Sequence, residues 1–110
     1  MIDKLKQLRE LLGDTYRDLL KAYLDDSPKR LDQMQSSFRE LDFESLANTA
    51  HIMKGSSGNM GAQKLSEVCA EIEKLARNNS IDRLEEKIGE VGLAYQDVKK
   101  ILEQEISSIL

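Results

Sequence analysis

The last thirty residues carry an apolar side chain at every third or fourth position, and this spacing constrains the fold more than any other feature. The stripe consists of Ile81, Leu84, Ile88, Val91, Tyr95, Val98, Leu102, Ile106 and Ile109. Steps of three and four follow the α-helical period and are typical of a helix packed in a bundle at a shallow crossing angle. The stripe therefore predicts a long last helix with one face in a core. Gly89 and Gly92 lie within this helix and each cost it about 1 kcal/mol of stability relative to alanine, and close packing is the simplest reason for them.

The same period appears on both sides of the single proline. Behind Asp14, a candidate N-cap, the first stripe consists of Tyr16, Leu19, Leu20, Tyr23 and Leu24. Ser27 and Pro28 then have the pattern of an N-cap followed by proline at the first helical position. Beyond them a second stripe continues at a new angle, with Leu31, Met34, Phe38 and Leu41. The two stripes predict one long arm that is broken or kinked at Pro28.

Two more helices are predicted between this arm and the last helix. Asp42 is a candidate N-cap for the first of these two helices. Residues 58–61 read Gly-Asn-Met-Gly and predict the turn that follows it. Residues 78–80 are predicted to end the second of the two helices and to cap the last helix. Short connections favour antiparallel neighbours. The sequence therefore predicts an all-α fold: an antiparallel up-down-up-down four-helix bundle with a short extra N-terminal helix near residues 2–12. We expect a single domain over residues 1–110.

Composition argues against several classes of protein. The 110 residues contain one Cys, so no internal disulfide can form, and no run of about 18 apolar residues is present to span a bilayer. A net charge of −4 disfavours a nucleic-acid surface. The charged, amphipathic N-terminus is unlike a signal peptide, so we expect a cytoplasmic protein without a membrane partner. The GxxxxGK loop, the HExxH pair and the Cys/His cluster are absent, so no cofactor or metal of its own is expected.

One segment departs from the acidic character of the chain. Residues 45–66 contain no Asp or Glu, although the chain has 20 acidic residues, and they include Lys54, Lys64 and the only His. One end of an acidic bundle is therefore locally basic. Charge alone leaves two interpretations open, a chance gap beside a turn or a functional surface.

His51 is predicted to lie on an exposed face of its helix. At about 100° per residue, the core side carries Leu46, Ala50 and Met53. A displaced face carries Ala47, His51, Lys54, Gly55 and Gly58. A glycine inside a helix lowers the stability of the helix by about 1 kcal/mol relative to alanine. This cost is offset if the missing side chain lets the backbone of another protein approach over the imidazole. Alternatively Gly58 and Gly61 simply end the helix, which leaves Gly55 unexplained. Ile52 also points away from the core, either as an isolated exposed side chain or as part of a docking patch.

The residues around His51 resemble the signature of histidine-containing phosphotransfer (HPt) domains, approximately AHxLKGSSxxxGAxxLxxxCxxLE. Residues 49–57 read Thr-Ala-His-Ile-Met-Lys-Gly-Ser-Ser, and the downstream matches are Gly61, Ala62, Leu65, Cys69 and Glu73. Met53 and Ile72 stand where that pattern has leucine. The arm over residues 16–34 also resembles the family's helix with its acidic-Ser-Pro break. The resemblance covers nearly the whole chain.

This resemblance implies a phosphorelay intermediary of two-component signal transduction. His51 is then the phosphoacceptor, which takes a phosphoryl group from a receiver-domain aspartyl phosphate and passes it to another receiver aspartate. Lys54 lies against the phosphoryl oxygens and stabilises their charge, and Gly55 is the contact point where a receiver seats. The further candidates for receiver docking are Asn48, Ile52 and Gly58.

The family often has Gln or Glu at the position of Glu73, close to the histidine ring. If the two helices turn near Gly61, Glu73 and His51 are offset by about 3 Å along the helix axis. A carboxylate there would accept a hydrogen bond from one ring N–H, orient the imidazole and stabilise its cationic form. The alternative is an ordinary solvated glutamate.

The expected partners are response-regulator receiver domains and a sensor histidine kinase, which is a hybrid kinase in some relays. Mg²⁺ would be supplied by the receiver, so the chain is half of a composite site and no ATP-dependent kinase activity is expected. The alternative function is a non-catalytic helical adaptor that binds a receiver or kinase. A stand-alone enzyme with His51 as general base lacks a second convergent group. Cys69 lies in an apolar stripe and is predicted to be a buried hydrophobe.

The oligomeric state depends on the end of the chain. The tail at residues 106–110, which contains Ile106, Ile109 and Leu110, either seals the bundle or meets a second copy of the chain. We expect a monomer.

Overall fold

The computed structural model describes residues 1–109 and contains five α-helices but no strand in that range. Their bounds are α1 Ile2–Leu12, α2 Tyr16–Arg39, α3 Phe43–Asn59, α4 Gln63–Arg77 and α5 Leu84–Ile109, with a 3₁₀ turn at Gly13–Thr15 between α1 and α2. The all-α prediction is confirmed, including the short N-terminal helix.

Helices α2 to α5 form a closed ring of four around one core. Helix α3 packs against α2 and α4, and α5 packs against the same two helices from the other side. The apolar stripes face inward, and the largest fully buried side chains include Tyr16, Leu20, Met34, Leu46, Met53, Leu65, Ile72, Leu84 and Leu102. Burying each large apolar side chain stabilises the bundle by roughly 1.5–3 kcal/mol. The four-helix bundle prediction is confirmed.

Three turns connect the bundle helices, and all three end the preceding helix in the same way. In each turn one residue has a positive φ, namely Leu41, Gly61 and Asn79. The next residue donates its backbone N–H to a carbonyl five residues back: Asp42 to Ser37, Ala62 to Ser57, and Ser80 to Leu75. This is the Schellman pattern, which satisfies the last carbonyls of a helix and reverses the chain sharply.

Gly61 has a second role in the turn between α3 and α4. Helix α1 lies over this turn, and a Cβ added at Gly61 would be only 2.6 Å from Cβ of Lys4. Its φ of +77° also disfavours any L side chain. The predicted turn is therefore confirmed at Met60 and Gly61, whereas Gly58 and Asn59 still belong to α3. At Gly61 only glycine allows both the turn and the close approach of α1.

Helix α2 does not break at Pro28, so of the two predicted forms of the arm the broken one is wrong, and the kink stays a prediction. It runs without interruption from Tyr16 to Arg39, with Pro28 inside it. Ser27 is buried within the helix rather than being an N-cap. Proline removes one helical hydrogen bond, but the buried side chains on both sides of it keep the two halves in one helix. Asp14 is also not the N-cap of this helix, because it lies inside the 3₁₀ turn.

Two side chains predicted on apolar stripes are exposed. Leu41 occupies the left-handed position of the first turn and points to solvent. Ile81 is 48% exposed because α5 begins only at Leu84, after a turn in which Arg83 has a φ of +73°. The remainder of the last stripe faces the core as predicted.

The glycines of α5 are not explained by close packing, which corrects that expectation. A Cβ added at Gly89 or Gly92 would meet no atom within 4 Å. At the end of α5, Ile106 and Ile109 pack against the bundle's own core, whereas Leu110 lies outside the described residues.

Candidate functional site

Helix α3 carries His51 on its outer surface. The helix begins at Asp42, whose side chain accepts a hydrogen bond from the backbone N–H of Ser45, as predicted for an N-cap. Its inward residues Leu46 and Met53 are fully buried and fix the rotation of the helix. The side chain of His51 is consequently 60% exposed, as the sequence predicted.

Glu73 on α4 reaches across to the histidine. Its neighbour Ile72 is fully buried, so Glu73 lies at the edge of the interface between α3 and α4. One carboxylate oxygen, Oε2, is 2.9 Å from Nδ1 of His51, and the other, Oε1, accepts a hydrogen bond of 2.7 Å from Nζ of Lys54. The side chain of Glu73 is only 12% exposed, so it is not an ordinary solvated glutamate.

Arg77 is a member of this cluster that the sequence analysis missed. It lies one turn after Glu73 on α4, and its Nε and Nη2 donate to Oε2 of Glu73 at 3.2 and 2.9 Å. The spacing of an acidic and a basic residue at i and i+4 on a predicted helix was the available signal. Glu73 is therefore surrounded by three nitrogen-bearing side chains.

The charge state of Glu73 determines which nitrogen of His51 is free. The hydrogen bond from Lys54 lowers the pKa of Glu73 to about 2, and the bonds from Arg77 act in the same direction. Glu73 is thus ionised at neutral pH and can only accept hydrogen bonds. A neutral His51 must then donate from Nδ1, which leaves the lone pair on Nε2.

Besides its charged neighbours, His51 shares its exposed face with four uncharged residues. Asn48, Ile52, Gly55 and Gly58 are all exposed. A Cβ at Gly55 would meet no atom of this chain within 4 Å, so packing within the bundle does not account for the glycine. A Cβ at Gly58 would lie 3.4 Å from Oγ of Ser66, an ordinary van der Waals contact, so packing against α4 does not require glycine at this position.

Ala47 does not belong to the exposed face, which corrects its predicted place beside His51. Ala47 is fully buried, because α4 packs over this side of α3. The end of α4 reaches this position, so that Ala76 and Arg77 line one surface depression together with Ala47. The exposed face around His51 is therefore narrower than a single-helix projection indicates.

Cys69 is a core residue, as predicted. It is fully buried, and burial raises the pKa of its thiol to about 12, so it is not a reactive thiolate. Within residues 1–109, no three His, Cys, Asp or Glu side chains are grouped to hold a metal ion, and no helix is both long and apolar enough to cross a bilayer.

A four-helix bundle that presents one exposed, carboxylate-oriented histidine is the class defined by this fold and site. The model of the Hpt domain family matches residues 18–106. The chain therefore belongs to the Hpt domain family, whose members take part in histidine phosphotransfer in two-component phosphorelays.

Known proteins similar to this chain agree with that assignment. It is 32% identical to histidine-containing phosphotransfer protein B (HptB) from Pseudomonas aeruginosa PAO1, with a TM-score of 0.94 over 96% of this chain and 92% of that one. The HPT domain of a sensor hybrid histidine kinase from Shewanella has the same fold, with 22% identity and a TM-score of 0.80 over 96% of this chain and 92% of that one.

A curated relative is the phosphorelay intermediate protein rdeA of Dictyostelium discoideum, which is 27% identical over 85 residues. The match covers 77% of this chain but only 34% of that protein. The chain thus spans about a third of the length of this relative.

Proposed function

We propose that His51 accepts a phosphoryl group on Nε2 from the aspartyl phosphate of a receiver domain and passes it to the aspartate of another receiver. The observation that carries this proposal is the hydrogen bond between Nδ1 of His51 and Glu73 on an otherwise exposed imidazole. That bond leaves Nε2 as the nucleophile and holds the ring in one orientation.

The transfer step follows from this arrangement. The lone pair on Nε2 attacks phosphorus, the bond between phosphorus and the aspartate oxygen breaks, and the receiver carboxylate leaves with that electron pair. The imidazole becomes a cation that keeps its proton on Nδ1. Glu73 stabilises this cation, because a carboxylate bonds a charged ring more strongly than a neutral one. Transfer to the next receiver is the reverse reaction.

Lys54 and Gly55 are assigned the two roles that follow from their positions one turn beyond His51. The ammonium group of Lys54 supplies positive charge to the transferring phosphoryl group, whose transition state is stabilised mainly by charge and positioning. Gly55 leaves room for the receiver backbone, since its surroundings are open on the side of the exposed face. Asn48, Ile52 and Gly58 complete the proposed docking surface.

The proposal assigns Mg²⁺ and the reacting aspartate to the receiver and ATP hydrolysis to an upstream sensor histidine kinase. The chain therefore has no kinase activity of its own. The lack of carboxylates in residues 45–66 supports an acidic partner surface, which nearby Asp or Glu would repel. The proposal includes a cytoplasmic location, with which a single buried free thiol is consistent. It also includes a monomeric state, with which the packing of Ile106 and Ile109 on the chain's own core is consistent.

The test is transfer of radiolabelled phosphate from a phosphorylated receiver in the presence of Mg²⁺. We expect the wild-type chain to take up label that is labile in acid and stable in base, and His51→Gln to take up none. Because the His51 side chain is mostly exposed, His51→Gln should keep the circular dichroism spectrum and thermal stability of the wild type.

Labelling of His51→Gln at the wild-type level would refute the assignment of the phosphoacceptor. A wild-type chain that binds receivers without taking up label would instead be a non-catalytic adaptor. Incubation with ATP and Mg²⁺ in the absence of a kinase should leave the chain unlabelled.

A further inference from the structure

Lys54 is not free to contact a phosphoryl group in the arrangement described above. Its Nζ lies 2.7 Å from Oε1 of Glu73, which is the length of a strong charge-assisted hydrogen bond. For its charge to act on the phosphoryl oxygens, the ammonium group must first leave this carboxylate. Lys54 is 36% exposed and has a flexible four-carbon stem, so its ammonium group has open solvent on one side in which to move.

The obstacle to this movement is the charge of Glu73. A carboxylate that is only 12% exposed is poorly solvated, and leaving it without a cationic partner is costly. If Lys54 were the only cation bonded to Glu73, the carboxylate would retain it. A second cation that stays in place would lower the cost of its departure.

Arg77 has the geometry of that second cation. Its guanidinium donates two hydrogen bonds to Oε2 of Glu73, the oxygen that Lys54 does not use. It is the last residue of α4, where a positive charge is favoured by the helix dipole, and it follows Glu73 at the favourable i+4 spacing. Its contact with Glu73 thus uses a different carboxylate oxygen and does not involve Lys54.

We propose that Arg77 is a positioning residue that neutralises Glu73 so that Lys54 can leave it for the phosphoryl group on His51. Glu73 and Arg77 then remain together on the Nδ1 side of the ring while Lys54 acts on the Nε2 side. This inference rests on the proposed function, because it describes how the same site changes during transfer.

The experiment is a rapid-quench measurement of single-turnover transfer from a phosphorylated receiver, with the concentration of this chain varied. We expect Arg77→Gln to lower the maximal transfer rate by about tenfold, because Glu73 then retains Lys54, while the half-saturating concentration stays within about twofold. Lys74→Gln is the matched control, because it removes the same charge from the last turn of α4 without a bond to Glu73 among the described residues, and it should transfer at the wild-type rate.

The double variant Glu73→Gln/Arg77→Gln separates this role from a merely structural one. Without the negative charge at position 73, Lys54 is not retained, so the double variant should transfer no more slowly than Glu73→Gln alone. Losses that multiply in the double variant, or an Arg77→Gln rate equal to that of the wild type, would overturn the inference. In either case transfer to the wild-type chain still reports on the proposed function, so the two failures are distinguishable.

Discussion

At the scale of single residues, the chemistry of the site depends on one shielded carboxylate. Glu73 accepts hydrogen bonds from Lys54, Arg77 and His51 within about 3 Å, and these bonds give the carboxylate its low pKa. The same contacts orient His51 and join α3 to α4. One side chain therefore links the proposed reaction to the stability of the bundle.

This linkage makes part of the stability dependent on pH. Because the pKa of Glu73 falls from 4.5 in the unfolded chain to about 2 in the folded one, its ionised form stabilises the fold above about pH 4.5, and this contribution is lost as the pH falls towards 2. We expect Glu73→Gln to lower the free energy of unfolding by about 1 kcal/mol at pH 7, a modest value because its partners are partly exposed. The difference from the wild type should shrink between pH 5 and pH 2 in urea titrations.

The control for this prediction is Glu67→Gln, which removes a carboxylate from an exposed position on the same helix. Its difference from the wild type should change much less over the same pH interval. A Glu73→Gln difference that is as large at pH 2.5 as at pH 7 would contradict the role of the charged carboxylate in stability.

At the scale of helices, two exposed glycines with similar local surroundings have different expected roles. Gly55 on α3 and Gly89 on α5 are both inside helices, and an added Cβ would meet nothing within 4 Å at either position. Helix propensity alone would favour alanine at both. Only Gly55 lies one turn beyond His51, on the surface proposed to seat a receiver.

We therefore expect Gly55→Ala and Gly89→Ala to raise the free energy of unfolding by similar amounts, about 0.5–1 kcal/mol each, because both remove a helix-destabilising glycine. Gly55→Ala should also weaken receiver binding, measured by titration calorimetry, whereas Gly89→Ala should leave it unchanged. Equal receiver affinities for the two variants would remove Gly55 from the docking surface.

At the scale of the whole molecule, the four bundle helices contribute side chains to one core cluster. Tyr16 and Tyr23 from α2 and Tyr95 from α5 are buried in it, and the hydroxyl groups of Tyr23 and Ser57 are 2.8 Å apart between α2 and α3. The rings of Tyr23 and Tyr95 are 6.3 Å apart between α2 and α5. The tyrosines thus report on contacts between different helices.

We predict that the chain unfolds in one cooperative transition. Near-ultraviolet circular dichroism of the buried tyrosines and far-ultraviolet circular dichroism of the helices should give coincident urea curves, with a slope of about 1–2 kcal/mol per molar urea for a domain of this size. Loss of the tyrosine signal before the helical signal would show instead that the helices separate while still folded.

The bundle and its histidine could be predicted from local sequence because local patterns encode them. The period of the apolar residues determines which face of each helix is buried, so the stripe ending at Ile109 identified a helix without knowledge of its neighbours. Asp42 and Gly61 marked a helix start and a turn through hydrogen bonding and positive φ, which are properties of a few adjacent residues. The exposure of His51 followed from the same projection.

Other features depended on which helix lies beside which, and only the tertiary structure decided them. Helix α2 continues through Pro28 because packing on both sides outweighs one lost hydrogen bond, and Ala47 is buried because α4 covers it. The hydrogen bond from Lys54 to Glu73 joins a side chain of α3 to one of α4. Local sequence determines where each helix forms and which of its faces is buried. Contacts between residues that are distant in the sequence depend on which helices become neighbours and on how closely they pack.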